Sequence, residues 1–323
     1  MLPRVSFCIP TLNASKLLGR CLRSIRKQNY PEELVEIVLA DGGSTDSTVR
    51  IAKSYGCNVI YNSKKLAEPG ITLALEKGSG DIEFIMAADN ELPRENWIRL
   101  MIKPFMEERK TWGSFTQIIP SPDTDSFNRY YSLLHVEPFT WFIYKEASNP
   151  RLFYKIYKLI KRDNDYIIYD FSPMTHPLVA FAQGFALRKE FARKKEYEYD
   201  DVLPFIQMVE EGYKIAYVPE AGIYHHHLKS FKDYLKKYQW RIRNSLQGSN
   251  TGFAKRRKYM SFYRKFRKYL WMPYGLSFVL PLADGIRWFF KNRDEAWLWH
   301  PLACFGLCVE ILVEVVRKKT KMV

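Results

Sequence analysis

The chain has 323 residues, of which 47% are hydrophobic and 15% aromatic, so it buries a sizeable core and is neither disordered nor fibrous. Its five cysteines, Cys8, Cys21, Cys57, Cys304 and Cys308, are odd in number and match no zinc-site spacing, which excludes a disulfide scaffold and points to a reducing compartment. The net charge of +15 lies wholly in the C-terminal part: from Leu228 onward there are 21 Lys and Arg against 6 Asp and Glu, so residues 1–227 are neutral and the tail is the part suited to an anionic partner.

Met1-Leu2-Pro3-Arg4 leads straight into an apolar strand at 5–9, and no signal peptide is expected. Residues 14–28 read as a helix with Leu17, Leu18, Cys21, Leu22 and Ile25 on one face. A buried strand at 36–40 follows, then a helix at 47–55 capped by Thr45 or Asp46. A strand at 58–61, a helix at 71–77 and a strand at 82–87 continue the alternation, which predicts a parallel sheet flanked by helices. Residues 112–119 read as a strand, whereas 120–178 mix Pro, Asp, Asn and aromatics without a period. Strands are expected at 178–187, with Gly184 near the end, and at 215–218 and 222–226. Residues 230–247 read as a basic helix, followed by basic clusters at 255–258 and 264–268.

Two apolar runs close the chain. Residues 269–290 are interrupted by Asp284 and Arg287, and 296–316 by Glu310 and Glu314. Each approaches the roughly 20 residues of a spanning helix, but the charges make full spanning expensive. The pattern fits helices lying in the membrane interface, or a shallow hairpin. The expected organisation is a catalytic domain at 1–228, a basic linker at 229–268 and a membrane-associated hairpin at 269–323. Positive flanks place that anchor on the cytoplasmic face of the cell membrane, and a chain cut before Lys255 is expected to be more soluble.

The chemistry-bearing residues sit where strands end. Phe84 to Pro93 read Phe-Ile-Met-Ala-Ala-Asp-Asn-Glu-Leu-Pro, with Asp89 and Glu91 just past a buried strand. In an open α/β sheet that end binds ligands, and such oxygens suit Mg²⁺ or Mn²⁺ on a diphosphate; a solvated turn is the other reading. The first strand runs into Pro10-Thr11-Leu12-Asn13 and the second into Asp41-Gly42-Gly43-Ser44-Thr45-Asp46. The glycines there let backbone approach a nucleotide. Asp200 and Asp201 precede a helix ending at Gly212, and either caps that helix or serves as a general base. In Tyr224-His225-His226-His227, His225 and His227 share a face if the segment is a strand, within reach of a metal.

Together these residues resemble the family 2 glycosyltransferases, inverting enzymes with the GT-A fold, a Rossmann-like, mostly parallel α/β sheet flanked by helices. The resemblance covers roughly residues 3–245. It implies that Pro10, Thr11, Asn13, Asp41, Gly43, Ala88 and Asp89 hold a nucleotide-sugar donor. It implies that Asp89 binds Mg²⁺ or Mn²⁺ with Glu91 or His225, and that Asp201 is the catalytic base beside Asp200. Two departures stand out. Ala87 occupies the position of the family's first metal-motif acid, and Lys236-Lys237-Tyr238-Gln239-Trp240 keeps only the Trp of the processive members' motif. The expected reaction is therefore transfer of one sugar to a hydroxyl of a lipid-linked glycan or polysaccharide precursor, beside an anionic membrane. A polyprenyl-phosphate sugar transferase is the near alternative.

Two alternatives come from other classes, a basic nucleic-acid-binding protein and a dinucleotide enzyme, and the sequence argues against each. Basic residues interleaved with aromatics after 229 suit nucleic acid, but the apolar runs after Tyr269 have no use there, and no nucleic-acid partner is expected. A dinucleotide enzyme would carry Gly-x-Gly-x-x-Gly where Pro10-Thr11-Leu12-Asn13 stands.

Overall fold

A computed structural model describes residues 1–228, 230–247 and 256–320. The chain forms two compact units, Met1–Ile119 with Asn149–His225, and Pro120–Ser148 with His226–Val323. The division is not sequential, because residues 120–148 cluster with the C-terminal part.

The first unit is built on strands β1 (Val5–Thr11), β2 (Val35–Asp41), β3 (Asn58–Tyr61), β4 (Ile82–Met86), β5 (Asn90–Glu91), β6 (Thr111–Phe115), β7 (Lys158–Arg162), β8 (Ile167–Asp170), β9 (Gln183–Arg188), β10 (Lys214–Tyr217) and β11 (Tyr224–His225). Nine of them form one sheet in the order β3-β2-β1-β4-β9-β6-β10-β8-β7, and β5 pairs with β11 in a second, two-stranded sheet. β4 is buried throughout and β1 nearly so, as strands covered on both faces must be. The β3-β2-β1-β4 half is parallel, as its alternation with helices predicts. β9 runs antiparallel to both β4 and β6, and β8 antiparallel to β10, so the sheet is mixed. β1 and β2 end level, with Thr11 opposite Asp41. Their loops therefore leave the same carboxyl edge.

Helices α1 (Ser15–Arg26), α2 (Thr48–Ser54), α3 (Ala67–Lys77), α4 (Trp97–Glu107) and α7 (Leu203–Glu210) complete this unit. α1 buries Leu18, Cys21, Leu22 and Ile25, the stripe expected from its periodicity. The core centres on Phe7, Phe84 and Trp97, with ring centroids 4.9 Å apart for Phe7 and Phe84 and 5.2 Å for Phe84 and Trp97. α3 begins at Ala67 rather than at 71, because Pro69 sits in the first turn, where its missing N–H has no intrahelical partner. Gly70 is needed there: a Cβ would stand 2.9 Å from Asn62 Nδ2 and 3.1 Å from Pro10 Cβ. β9 begins at Gln183 rather than 178, and Gly184 opens the strand with φ 74° instead of ending it.

The second unit holds α5 (Ser126–Leu134), α6 (Pro138–Tyr144), α8 (Phe231–Gln247), α9 (Phe262–Leu276), α10 (Val279–Asn292) and α11 (His300–Thr320). α5 and α6 arise in the stretch that showed no period. Asp125 caps α5 by accepting from Phe127 N (2.8 Å) and Asn128 N (3.0 Å). The run 269–290 is not one helix: it divides at Ser277-Phe278, where Phe278 has φ 57°. Tyr130, Trp141, Tyr234, Trp271, Tyr274, Trp297 and Cys304 share one buried cluster. The C-terminal helices are therefore core elements of this unit, which argues against removing them to gain solubility. They nonetheless leave Phe262, Tyr269, Val279, Phe290 and Val316 exposed. The segment Glu295–Lys318 is long and apolar enough to cross a membrane by length and composition. Lys255, first residue of the earlier basic cluster, lies outside the described residues, as do 229 and 321–323.

Candidate active site

The loops after β1 and β2 are laced into one surface at the carboxyl edge. Asp41, nearly buried, accepts at Oδ2 from Gly43 N (2.9 Å) and Ser44 N (2.8 Å), and at Oδ1 from the hydroxyls of Thr11 (3.2 Å) and Ser44 (2.5 Å). Four bonds use up the acceptor sites of a carboxylate, so Asp41 shapes the turn and sets Thr11 in place. Gly43 at φ 89° takes the left-handed conformation this turn requires. Asn13, also left-handed at φ 51°, donates from its N–H to Ser44 Oγ (2.8 Å) and accepts at Oδ1 from Thr45 N (2.9 Å). Asp46 accepts from Thr48 N (2.9 Å) and Ser15 N (3.2 Å), joining the starts of α2 and α1. These bonds, the Thr48 hydroxyl foremost, hold its carboxyl well below the usual range. Pro10 packs under this surface against α3, within reach of Gly70.

Asp89 follows β4 on a turn that its neighbour closes. Asn90 donates from its N–H to Ala87 O (3.0 Å), and its Oδ1 accepts from Ala87 N (2.9 Å). Its amide also donates to Gln183 Oε1 on β9 (3.1 Å). Ala87 and Ala88 are the small residues of this turn. Antiparallel pairing of β5 with β11 sets His225 opposite Asn90. The result is that Asp89 Oδ1 and His225 Nε2 stand 3.5 Å apart, although 136 positions separate them in sequence. A carboxylate oxygen and an imidazole nitrogen at this spacing fit two ligands of one divalent ion with bonds of about 2.1 Å. Glu91 Oε2 lies 3.5 Å from Arg20 Nη1. β11 stops at His225.

The acidic pair divides into two environments. Asp200 is buried, and its Oδ1 accepts from Val202 N and Leu203 N, both 2.8 Å away, as a helix cap does. Asp201 is half-buried, and its backbone carbonyl accepts from Phe181 N (2.9 Å). The sequence did not single out the residues that hold this loop. Arg193 Nη2 donates to three carbonyls, those of Tyr197 (3.0 Å), Glu198 (3.0 Å) and Asp200 (2.6 Å), and Lys64 Nζ lies 2.8 Å from Glu198 Oε1. Glu68, in the first turn of α3, feels the Asp201 charge; burial, with that charge pushing the same way, holds its carboxyl above the ordinary range. No local pattern marks these residues, because each acts on a partner distant in sequence or on backbone carbonyls, and Arg193 does both, its Nη1 donating to the Thr72 hydroxyl at 3.3 Å.

The Glycosyl transferase family 2 model matches residues 6–174, which carry both laced loops and Asp89. A dolichyl N-acetyl-α-D-glucosaminyl phosphate 3-β-D-2,3-diacetamido-2,3-dideoxy-β-D-glucuronosyltransferase of Methanococcus voltae is 21% identical over 93% of this chain and 92% of its own. The glucosyl-3-phosphoglycerate synthase of Petrotoga mobilis is 40% identical over a shorter stretch, 24% of this chain and 23% of its own. Among solved structures, the mannosyltransferase PcManGT of Pyrobaculum calidifontis, in complex with GDP-Man and Mn²⁺, superposes with a TM-score of 0.53 at 15% identity, over 97% of this chain and 88% of that one. That likeness bears on the fold, which is of the GT-A kind. With more than half of its length matched by the family model, the chain belongs to glycosyl transferase family 2 and is a glycosyltransferase.

Proposed function

We propose that this enzyme transfers a single sugar from a nucleotide-diphosphate sugar to a hydroxyl of a lipid-linked glycan or surface-polysaccharide precursor, with inversion, at the cytoplasmic face of a membrane. The observation that carries this reading is the Asp89–His225 pair at the carboxyl edge of the sheet, beside the laced β1 and β2 loops. The surface formed by Pro10, Thr11, Asn13 and Gly43 would receive the nucleoside, with Asp41 as its internal brace. Asp89 and His225 would hold Mg²⁺ or Mn²⁺, which when bound neutralises charge on the diphosphate.

Asp201 takes the proton of the acceptor hydroxyl as its oxygen attacks the anomeric carbon. The bond to the diphosphate breaks on the opposite face, through an oxocarbenium-like state, and the configuration inverts. Asp200, tied to the first turn of α7, keeps the loop in place for its neighbour. The full-length relationship to a transferase of lipid-linked sugars, the basic tail and the exposed aromatic residues of α9 support an acceptor presented at an anionic membrane. Each Lys or Arg near such a surface contributes about 1 kcal/mol.

The test is a panel of nucleotide-diphosphate sugars offered to the full chain with Mn²⁺ or with EDTA. We expect metal-dependent hydrolysis of one donor and, with an acceptor, a product of inverted anomeric configuration. No donor bound or hydrolysed under either condition, or retention of configuration, overturns the proposal.

A further inference from the structure

The second unit gathers cations at the end of α6. Lys145 directly follows that helix, in a left-handed backbone conformation at φ 48°. Its ammonium lies 3.9 Å from the centroid of Trp141, 4.9 Å from Phe142 and 5.6 Å from Tyr274. The Asp284 carboxylate answers it, with Oδ2 at 3.6 Å, an oxygen that also accepts from the Tyr274 hydroxyl at 2.9 Å. Burial draws the Lys145 ammonium below its ordinary range, and the nearby Arg267 charge pushes the same way.

Arg267 arrives from α9 and has neutral acceptors, Ile143 O at 3.4 Å and the Tyr263 hydroxyl at 2.9 Å, with no carboxylate among the described residues. Arg264, three residues earlier, is buried with its guanidinium 4.5 Å from the Tyr144 ring centroid. Trp271, four residues after Arg267, is 1% exposed, and its Nε1–H finds no hydrogen-bond partner among the described residues. Its ring lies 5.8 Å from Phe142, the same ring that borders Lys145. Positions 264, 267 and 271 fall on one face of the helix.

Among the described residues Asp284 is the one carboxylate ion-paired with Lys145 or Arg267, and the buried Trp271 N–H of the same helix as Arg267 is unused. Lys145 and Arg267 are part-buried, so they remain open to an anion, and one with several acceptor oxygens can be held by both. Exposed along the same helix are Phe262, Tyr263, Phe266, Tyr269 and Leu270, a surface for an apolar chain rather than for water. A phosphate carried on a hydrocarbon chain matches both features.

We infer that Lys145, Arg264, Arg267 and the Trp271 indole N–H bind the phosphoryl group of a lipid phosphate, its chain lying on the exposed aromatic residues of α9. That this lipid carries the acceptor rests on the function proposed above; the site itself does not. The probes are farnesyl phosphate, farnesol and inorganic phosphate, titrated into the full-length chain by calorimetry. Farnesyl phosphate should bind saturably and at least about tenfold more tightly than either of the others, since each charge-assisted bond is of that order. Lys145→Met and Arg267→Met should each weaken it about tenfold, and Trp271→Phe, which keeps a ring but removes the donor, by a smaller factor. Lys268→Met, an exposed lysine on the same helix, should leave it within about twofold. Melting temperatures separate lost binding from lost folding, and Trp271→Phe serves where a methionine variant does not fold. Equal affinity for farnesol, equal affinity for inorganic phosphate, or wild-type binding in Arg267→Met overturns the site. Farnesyl phosphate binding that depends on these residues in a chain with no transfer activity would uphold the site and remove only its link to the acceptor.

Discussion

Two adjacent acids, Asp200 and Asp201, should separate cleanly into a structural and a chemical role. Asp200→Ala deletes the oxygen that accepts from Val202 N and Leu203 N at 2.8 Å. Loss of such a cap costs about 1–2 kcal/mol. In a unit of about 200 residues each kcal/mol moves the melting temperature by about 2–4 °C, so a fall of about 2–8 °C is expected. Asp200→Asn retains Oδ1 and should melt within about 2 °C of wild type, with turnover reduced no more than a few-fold. Asp201→Asn should leave the melting temperature and the donor KM unchanged while kcat falls by about 10²–10⁴. Differential scanning fluorimetry with steady-state transfer on the same preparations reads both. The reasoning fails if Asp200→Asn abolishes turnover at an unchanged melting temperature, which would make Asp200 the base. Full turnover in both asparagine variants would take the base away from this loop.

Asp89→Ala should abolish the divalent-metal dependence of donor binding in calorimetry with and without EDTA; unaltered dependence would move the metal off the Asp89–His225 pair. Burial pushes the Glu83 carboxyl up to about 7, against the lowering effect of Lys189 at 2.9 Å. The folded chain therefore keeps a proton that the unfolded chain releases from about pH 4.5, so this contribution is full at low pH and is lost as pH rises through 7, by at most about 3 kcal/mol. Urea midpoints at pH 5 and 8 should fall with pH more steeply in the wild type than in Glu83→Gln, and parallel curves would refute the assignment. A chain ending before Lys255 loses Trp271, Tyr274 and Trp297 from the buried cluster around Tyr130 and Trp141. It should aggregate on size-exclusion chromatography, and a monodisperse product would show that the remainder folds without them.

What could be read from the sequence follows the physics of each element. The β1–β4 half was legible because each strand is an apolar run closed by a turn, and Asp89 announced itself as an acid where such a run stops. α5 left no trace in the periodicity because Phe127, Tyr130, Tyr131, Leu133 and Leu134 are all buried, so the helix has little polar face to contrast with. The break between α9 and α10 was hidden because Phe278 holds a left-handed conformation that Gly or Asn usually marks. Tyr224-His225-His226-His227 suggested a metal ligand, but a two-residue strand has no alternation to reveal its pairing. The nearness of His225 to Asp89 was therefore available only from the fold. Asp200 reads in the sequence as cap or base alike, and the two backbone donors that it accepts from are visible only in the fold.

The two-stranded sheet of β5 and β11 has a consequence for how such a site changes over time. Main-chain pairing, not side-chain packing, brings positions 89 and 225 together. The alignment therefore survives replacement of either side chain. A lineage carrying this hairpin-like clasp can exchange oxygen for nitrogen donors and still present two side chains to the same point. Ligand chemistry at the clasp is in this sense modular: substitutions there should alter ion preference one residue at a time while the scaffold stays as it is.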